Sequence, residues 1–200
     1  MANRTANLQR FIGALESSIQ ARAAQYPAAM PVATRIFTAL KNSGAVGETA
    51  PSTRLPVCDH LDTAYNQGRT GPGGIPELTD ALAAIEPALN WTRRDNSAQI
   101  AGNFHEGHAN AMIIGKGGLE TREDVRMGVS LIAPGVLYPR HRHPPEELYV
   151  VLSPGEWMQN DNPLAFKKSG DLVHNTPNIW HTMAATKTPL LAVWSLWIAP

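Results

Sequence analysis

The chain has 200 residues, with 17 basic and 17 acidic side chains and a formal net charge of zero. That length supports one good core with additional helical structure and argues against two large domains. With no long run of either charge, it carries no footprint of a nucleic-acid or anionic-membrane partner, and a small neutral or zwitterionic ligand fits better. Cys58 is the single cysteine, which excludes an internal disulfide and agrees with a reducing compartment, its thiol serving as a small buried apolar group. The first ten residues lack an apolar signal core, and no segment approaches the roughly 18 apolar residues of a membrane span. The expectation is a water-soluble, cytoplasmic protein.

Leu8, Phe11, Ile12, Leu15 and Ile19 recur at helical spacing, which predicts an amphipathic helix from about Thr5 to about Gln25. After Pro27 and Pro31 the pattern repeats through Val32, Ile36, Phe37 and Leu40 until Asn42-Ser43-Gly44 stops it. Residues 44–56 read as a loop rich in Gly, Pro, Ser and Thr. Gly71-Pro72-Gly73-Gly74 makes another break before a short helix near Pro76 to Ile85, which Pro87 should end or kink. After Trp91 short apolar or alternating runs are separated by turn residues, the pattern of an all-β sandwich or barrel. Expected strands are Ala109 to Ile114, Arg126 to Ala133, Val136 to Tyr138 and on through the histidines, Glu147 to Leu152, Asp171 to His174 and Leu190 to Ile198. The runs at 148–152 and 190–198 are apolar on both faces and should lie inside packed sheets. The division is therefore a helical part over 1–90 packed on a β part over 91–200.

The chemistry concentrates in Gly135-Val-Leu-Tyr-Pro-Arg-His141-Arg-His143-Pro-Pro-Glu-Glu147-Leu-Tyr149. Alternate residues of an extended chain share a face, so His141 and His143 project together, as do Glu147 and Tyr149 on the next strand. Neutral imidazoles and a carboxylate suit one divalent transition metal, whether zinc, iron(II) or manganese. His181 is placed to complete the set, whereas His141 could instead support a ligand or touch substrate. His105-Glu-Gly-His108 does not qualify as a metalloprotease helix, because its histidines are three apart rather than four and a glycine intervenes. Gly115-Lys-Gly-Gly118 reads as a turn, and His60 and His174 have no partner pattern.

These residues resemble the cupin superfamily. Gly135, His141, His143 and Glu147 match its first motif, and the Gly170 to His181 spacing matches its second. Two departures are Pro177, one place late, with Asn178 where the family has glycine, and Ala185 where the motif ends in Asn. Asn tolerates the left-handed conformation better than most residues. The resemblance implies a mainly β, jelly-roll cupin barrel with an α-helical N-terminal extension and a metal inside.

Tyr149 beside the Glu, Tyr138 before the histidines and the helical first half make the chain similar to the cupin-type dimethylsulfoniopropionate (DMSP) lyases of marine bacteria. That likeness implies β-elimination of a small zwitterionic carboxylate to dimethyl sulfide and acrylate. His141, His143, Glu147 and His181 are then the metal ligands, Tyr149 the general base with Tyr138 nearby, and Trp180, Trp194 and Trp197 aromatic faces for the sulfonium. Regular alternation turns Tyr138 outward, unless a bend at Pro139 restores it. A cupin iron dioxygenase and a non-catalytic, carboxylate-binding cupin use the same ligands and stay open at this point. So does the role of the helices, as barrel cover, cavity lid or homodimer face.

Overall fold

The computed structural model describes residues 4–47 and 51–198. The first helix, α1 (Ala6–Gln20), starts where the Thr5 hydroxyl accepts the Leu8 N–H, and it ends soon after the last residue of its apolar stripe, Ile19. Residues 21–25 continue only as turns, so the expected helix is shorter than its polar tail implied. Then come α2 (Met30–Leu40), a two-residue strand β1 (Ala45–Val46), a 3-10 turn at Pro56–His60, α3 (Leu61–Arg69) and α4 (Ile75–Ile85). The α3 helix is an addition to the sequence reading. Its buried positions Leu61, Ala64, Tyr65 and Gly68 follow helical spacing, but Gly68 stands where an apolar side chain would have marked the stripe. A Cβ there would lie 2.3 Å from Thr79 Oγ1 on α4, so the glycine permits the close helix crossing. Among the described residues no helix is long and apolar enough to cross a membrane.

The β part runs β2 (Trp91–Thr92), β3 (His108–Ile114), β4 (Glu120–Thr121), β5 (Val125–Ile132), β6 (Leu137–His141), β7 (Glu146–Ser153), β8 (Gly155–Gln159), β9 (Ala165–Lys167), β10 (Leu172–Asn175), β11 (His181–Ala184) and β12 (Leu190–Trp197). Five of the six expected strands are present within a residue, and the strand expected to run through both histidines stops at His141, leaving His143 in the turn. The short β2, β4, β8, β9 and β11 carry too few alternations to announce themselves. A large sheet has the order β1-β4-β3-β5-β12-β7-β10, with β2 also on β3, and a smaller one the order β6-β11-β8-β9.

Strand alternation divides the buried side chains into two cores. Val125, Met127, Val129 and Leu131 of β5, with Leu148 and Val150 of β7 and Leu191 and Val193 of β12, face the helices in one continuous cluster with Phe11, Leu15, Ile36, Leu78 and Leu82. Ile132, Tyr149, Val151, Leu190 and Ala192 face the smaller sheet. This is why β7 and β12, both paired on two sides, read as apolar on both faces. Each fully buried Leu, Ile or Phe contributes roughly 1.5–3 kcal/mol against exposure.

An ion cluster locks the edge of the helical layer to the large sheet. Arg4 donates to Glu120 Oε1 at 3.0 Å and to the carbonyls of Leu40 and Asn42, while Gly44 N–H and Arg122 reach the same carboxylate oxygen. Burial opposes ionisation of Glu120, but these donors outweigh it and hold the carboxyl below its ordinary range. Glu120→Ala strands a buried arginine and should lower stability in urea unfolding by about 3–5 kcal/mol. Arg10→Ala, at the exposed Arg10–Glu77 pair, should change it by less than about 1 kcal/mol. Equal effects of the two substitutions would show that the cluster adds nothing.

Candidate metal centre and active site

The site lies between the sheets, where β6, β7 and β11 converge. His141 ends β6 and pairs across the sheet with His181, the first residue of β11. His143 follows two residues later in the turn, and Glu147 is the second residue of β7. Gly135 and Asn178, which precede these histidine-bearing segments, have φ of 73° and 61°. Asn178 thus adopts the left-handed conformation of the glycine it replaces, and its N–H donates to His143 O at 2.9 Å.

The three imidazoles share one arrangement. Nδ1 of His141 faces Pro139 O at 2.9 Å, that of His143 faces Pro145 O at 3.0 Å and that of His181 faces Ile179 O at 3.0 Å. A carbonyl only accepts, so each Nδ1 carries the proton and each Nε2 presents a lone pair. One potential ligand atom from each histidine lies within 4.8 Å of the others. Glu147 Oε2 is 3.3 Å from His143 Nε2 and 3.4 Å from His181 Nε2, while Asn175 Nδ2 donates to it at 2.8 Å. His181 Nε2 is buried and lacks a hydrogen-bond partner among the described residues. A carboxylate oxygen facing two nitrogen lone pairs is unfavourable unless a cation or a proton lies between them. The donor set therefore fits a divalent ion.

The electrostatics keep most of this set in ligand form. Burial, with His181 alongside, pushes the His141 pKa down to about 4, and burial lowers that of His181 against the pull of Glu147. Burial also opposes charge on His143 and Glu147, but their mutual contact raises the first and lowers the second. Tyr149, 3 % exposed, is pushed well above the ordinary phenol range by burial and by the Glu147 charge. Burial raises Tyr138 too, against the opposing pull of Arg94 and Asn110.

A cavity of about 230 Å³ opens onto these groups, lined by Tyr138, His141, His143, Glu147, Tyr149, Trp194, Leu196, Asn110 and Ser130. Tyr138 reaches it through a bulge. His181 pairs with His141 but Met183 pairs with Tyr138, so two residues of β6, Pro139 and Arg140, oppose the single Thr182 of β11. The parity that would have turned Tyr138 outward is reversed, and its ring sits 4.9 Å from that of His141. Trp194 lies beside Tyr149 on the large sheet and over Gly128, where an added Cβ would meet its ring at 2.2 Å.

The other two tryptophans do not join the cavity lining. Trp197 is three residues from Trp194, on the opposite face of β12, and packs toward the helices with Arg35 5.8 Å over its ring. Trp180 precedes β11 and is 38 % exposed, with Arg140 and Arg142 at 5.1 and 4.7 Å from its ring. Alternation sends Trp197, at an odd offset from Trp194, to the other face, whereas Trp180 lies ahead of its strand. Sequence reasoning missed Asn175, which is fully buried and opposite Glu147 in the β10–β7 register, and Gln159, whose Nε2 donates to Asn175 Oδ1 at 2.7 Å. It also missed Asn110, Ser130 and Arg94. His174, read as an ordinary residue, bonds Glu146 Oε1 at 2.7 Å.

The profile of the dimethylsulfoniopropionate lyase family matches residues 28–192. The dimethylsulfoniopropionate lyase DddQ of Ruegeria pomeroyi is 26% identical over 158 residues, spanning 78% of this chain and 77% of that protein. The crystal structure of DddQ from the same organism superposes with a TM-score of 0.73 at 22% identity, covering 96% of this chain and 91% of that one. A chain from the crystal structures of the DMSP lyases RdDddP and RnDddQII gives 0.67 at 23% identity, covering 96% and 92%. The fold is that of a cupin barrel with a helical layer. Because the profile spans most of the chain, this protein belongs to the dimethylsulfoniopropionate lyase family and is a carbon–sulfur lyase.

Proposed function

We propose that His141, His143, His181 and Glu147 hold one divalent transition metal, zinc, iron(II) or manganese, and that Tyr149 removes the α-proton of DMSP. The observation that carries this reading is the convergence of three Nε2 lone pairs, each oriented by a backbone carbonyl behind it, around a buried carboxylate. Bound there, a divalent ion supplies Lewis acidity toward the substrate carboxylate and a positive field that offsets Glu147 and favours the Tyr149 phenolate. The phenolate takes the proton from the carbon next to the carboxylate. That C–H pair becomes the Cα=Cβ bond, the Cβ–S pair leaves with sulfur, and the products are acrylate and neutral dimethyl sulfide. Trp194, beside Tyr149, offers its ring to the sulfonium, an attraction of about 0.5–2 kcal/mol when desolvated. The helices α1 to α4 serve as packing for the large sheet, and the barrel beyond residue 90 carries the chemistry.

The test is gas-chromatographic detection of dimethyl sulfide from purified protein before chelation, after it, and after reconstitution with each ion in turn. Loss and recovery are expected. Full activity after complete chelation would end the metal reading. Asn175 holds the carboxylate from behind, so Asn175→Ala should weaken metal retention by about 10–100-fold, measured by competition with a chromophoric chelator.

A further inference from the structure

Arg94 follows β2 on the segment that leads to β3, and that segment is fastened at several points. Arg93 Nε donates to His105 O at 2.8 Å and its guanidinium pairs with Glu106, while Ser97 Oγ lies 2.9 Å from His105 Nδ1. The backbone N–H of Arg94 donates to His108 Nε2 at 2.9 Å, and His108 Nδ1 faces Phe104 O at 2.5 Å. His108 is 1 % exposed and stacks on Phe104 with centroids 3.8 Å apart. Its Nε2 must accept and its Nδ1 must donate, so it is a neutral imidazole locked in one orientation. The histidines that failed as a metalloprotease motif thus have a different use: they hold the backbone at Arg94.

From this fixed base the guanidinium reaches 5.6 Å from the centroid of Tyr138, itself a wall of the cavity and in contact with His141. It is half-buried, and no carboxylate among the described residues lies within 4.0 Å of it, unlike its neighbour Arg93. Among the described residues Glu147 is the one carboxylate in the cavity lining, and His143, His181 and Asn175 already engage it. A guanidinium held against the Tyr138 wall, close to a site built for a second cation, is stabilised when an anion enters between them.

The geometry points to Arg94 as the residue that receives the carboxylate of the substrate, directing the zwitterion so that its anionic end meets the Tyr138 side and its sulfonium the Tyr149–Trp194 side. A guanidinium suits this role because its planar fork binds a carboxylate through two parallel N–H donors. The inference rests on the reading of the cavity as the DMSP site, and it adds the element that distinguishes a zwitterion from a plain sulfonium cation. His108 is a positioning residue, acting through the backbone of Arg94.

The experiment compares wild type with Arg94→Gln and Arg94→Lys, recording KM for DMSP, kcat, the inhibition constant of acrylate and the melting temperature. Arg94→Gln should raise KM and the acrylate constant in parallel by about 10–100-fold, with kcat held and melting unchanged. Arg94→Lys, which keeps the charge without the fork, should recover part of that loss and stands in if the glutamine variant folds poorly. Trimethylsulfonium, which lacks a carboxylate, should inhibit all three proteins equally. Unchanged KM and acrylate constants in a folded variant would overturn the proposal, as would a fall in kcat alone. Wild-type protein that binds acrylate through Arg94 yet releases no dimethyl sulfide would overturn the elimination reading and leave this one standing.

Discussion

Tyr149→Phe should lower kcat for dimethyl sulfide release by about 10²–10⁴-fold, the usual contribution of a positioned proton-transfer group, with little change in KM. The substitution deletes one oxygen and retains the ring, so the edge-on contact with Trp157 at 6.4 Å and the burial of the side chain persist. The melting temperature should therefore hold or fall only slightly, since the ring stays packed and one contact of the phenol hydroxyl with Glu147 is lost. Tyr138→Phe gives the informative contrast. That hydroxyl lies among Asn110, Arg94 and the His141 ring, where it can orient a bound carboxylate, and its loss should act more on KM than on kcat. Tyr149→Phe protein that keeps wild-type kcat, or a larger kcat loss in Tyr138→Phe, would move the base to another residue.

His181→Ala should abolish stoichiometric metal retention and reduce dimethyl sulfide release by about 10³-fold or more, taking several kcal/mol for the lost charge stabilisation and tenfold per 1.36 kcal/mol. His181 is 2 % exposed, opens β11 and stands opposite His141 across the sheet. Its removal leaves Glu147 with His143 and Asn175 but breaks the three-imidazole group. Elemental analysis of protein purified without added metal gives the first readout and gas chromatography the second. A His181→Ala protein that retains one ion per chain and ordinary turnover would place the metal elsewhere.

The convergence of His141, His143, Glu147 and His181 is readable because a strand has a short, rigid period: two residues on one face, a turn, then two more leave a fixed spacing in the sequence. The same rule misplaces Tyr138, since a bulge at Pro139-Arg140 inserts one residue and no local signal counts it. It also selects against Trp197, whose odd offset from Trp194 could have been read directly. Trp180 lies before its strand begins, where alternation says nothing. Asn175 became a partner of Glu147 through cross-strand register, a pairing between segments 28 residues apart that neither segment encodes alone. Arg94 is hidden for a related reason, because its aim is set by His108 and Phe104, which reach it through space. The α3 helix was missed because a packing glycine interrupts the apolar repeat.

The back of the large sheet has a practical consequence for protein engineering. Val125, Met127, Val129, Leu131, Leu148, Val150, Leu191 and Val193 form a broad oily plane that the helices hide. A minimal enzyme trimmed to the barrel would present that plane to water and self-associate. Transplanting this catalytic pocket into a smaller carrier thus requires repainting one side of three strands with polar residues, while their alternate positions, which shape the pocket, are left untouched.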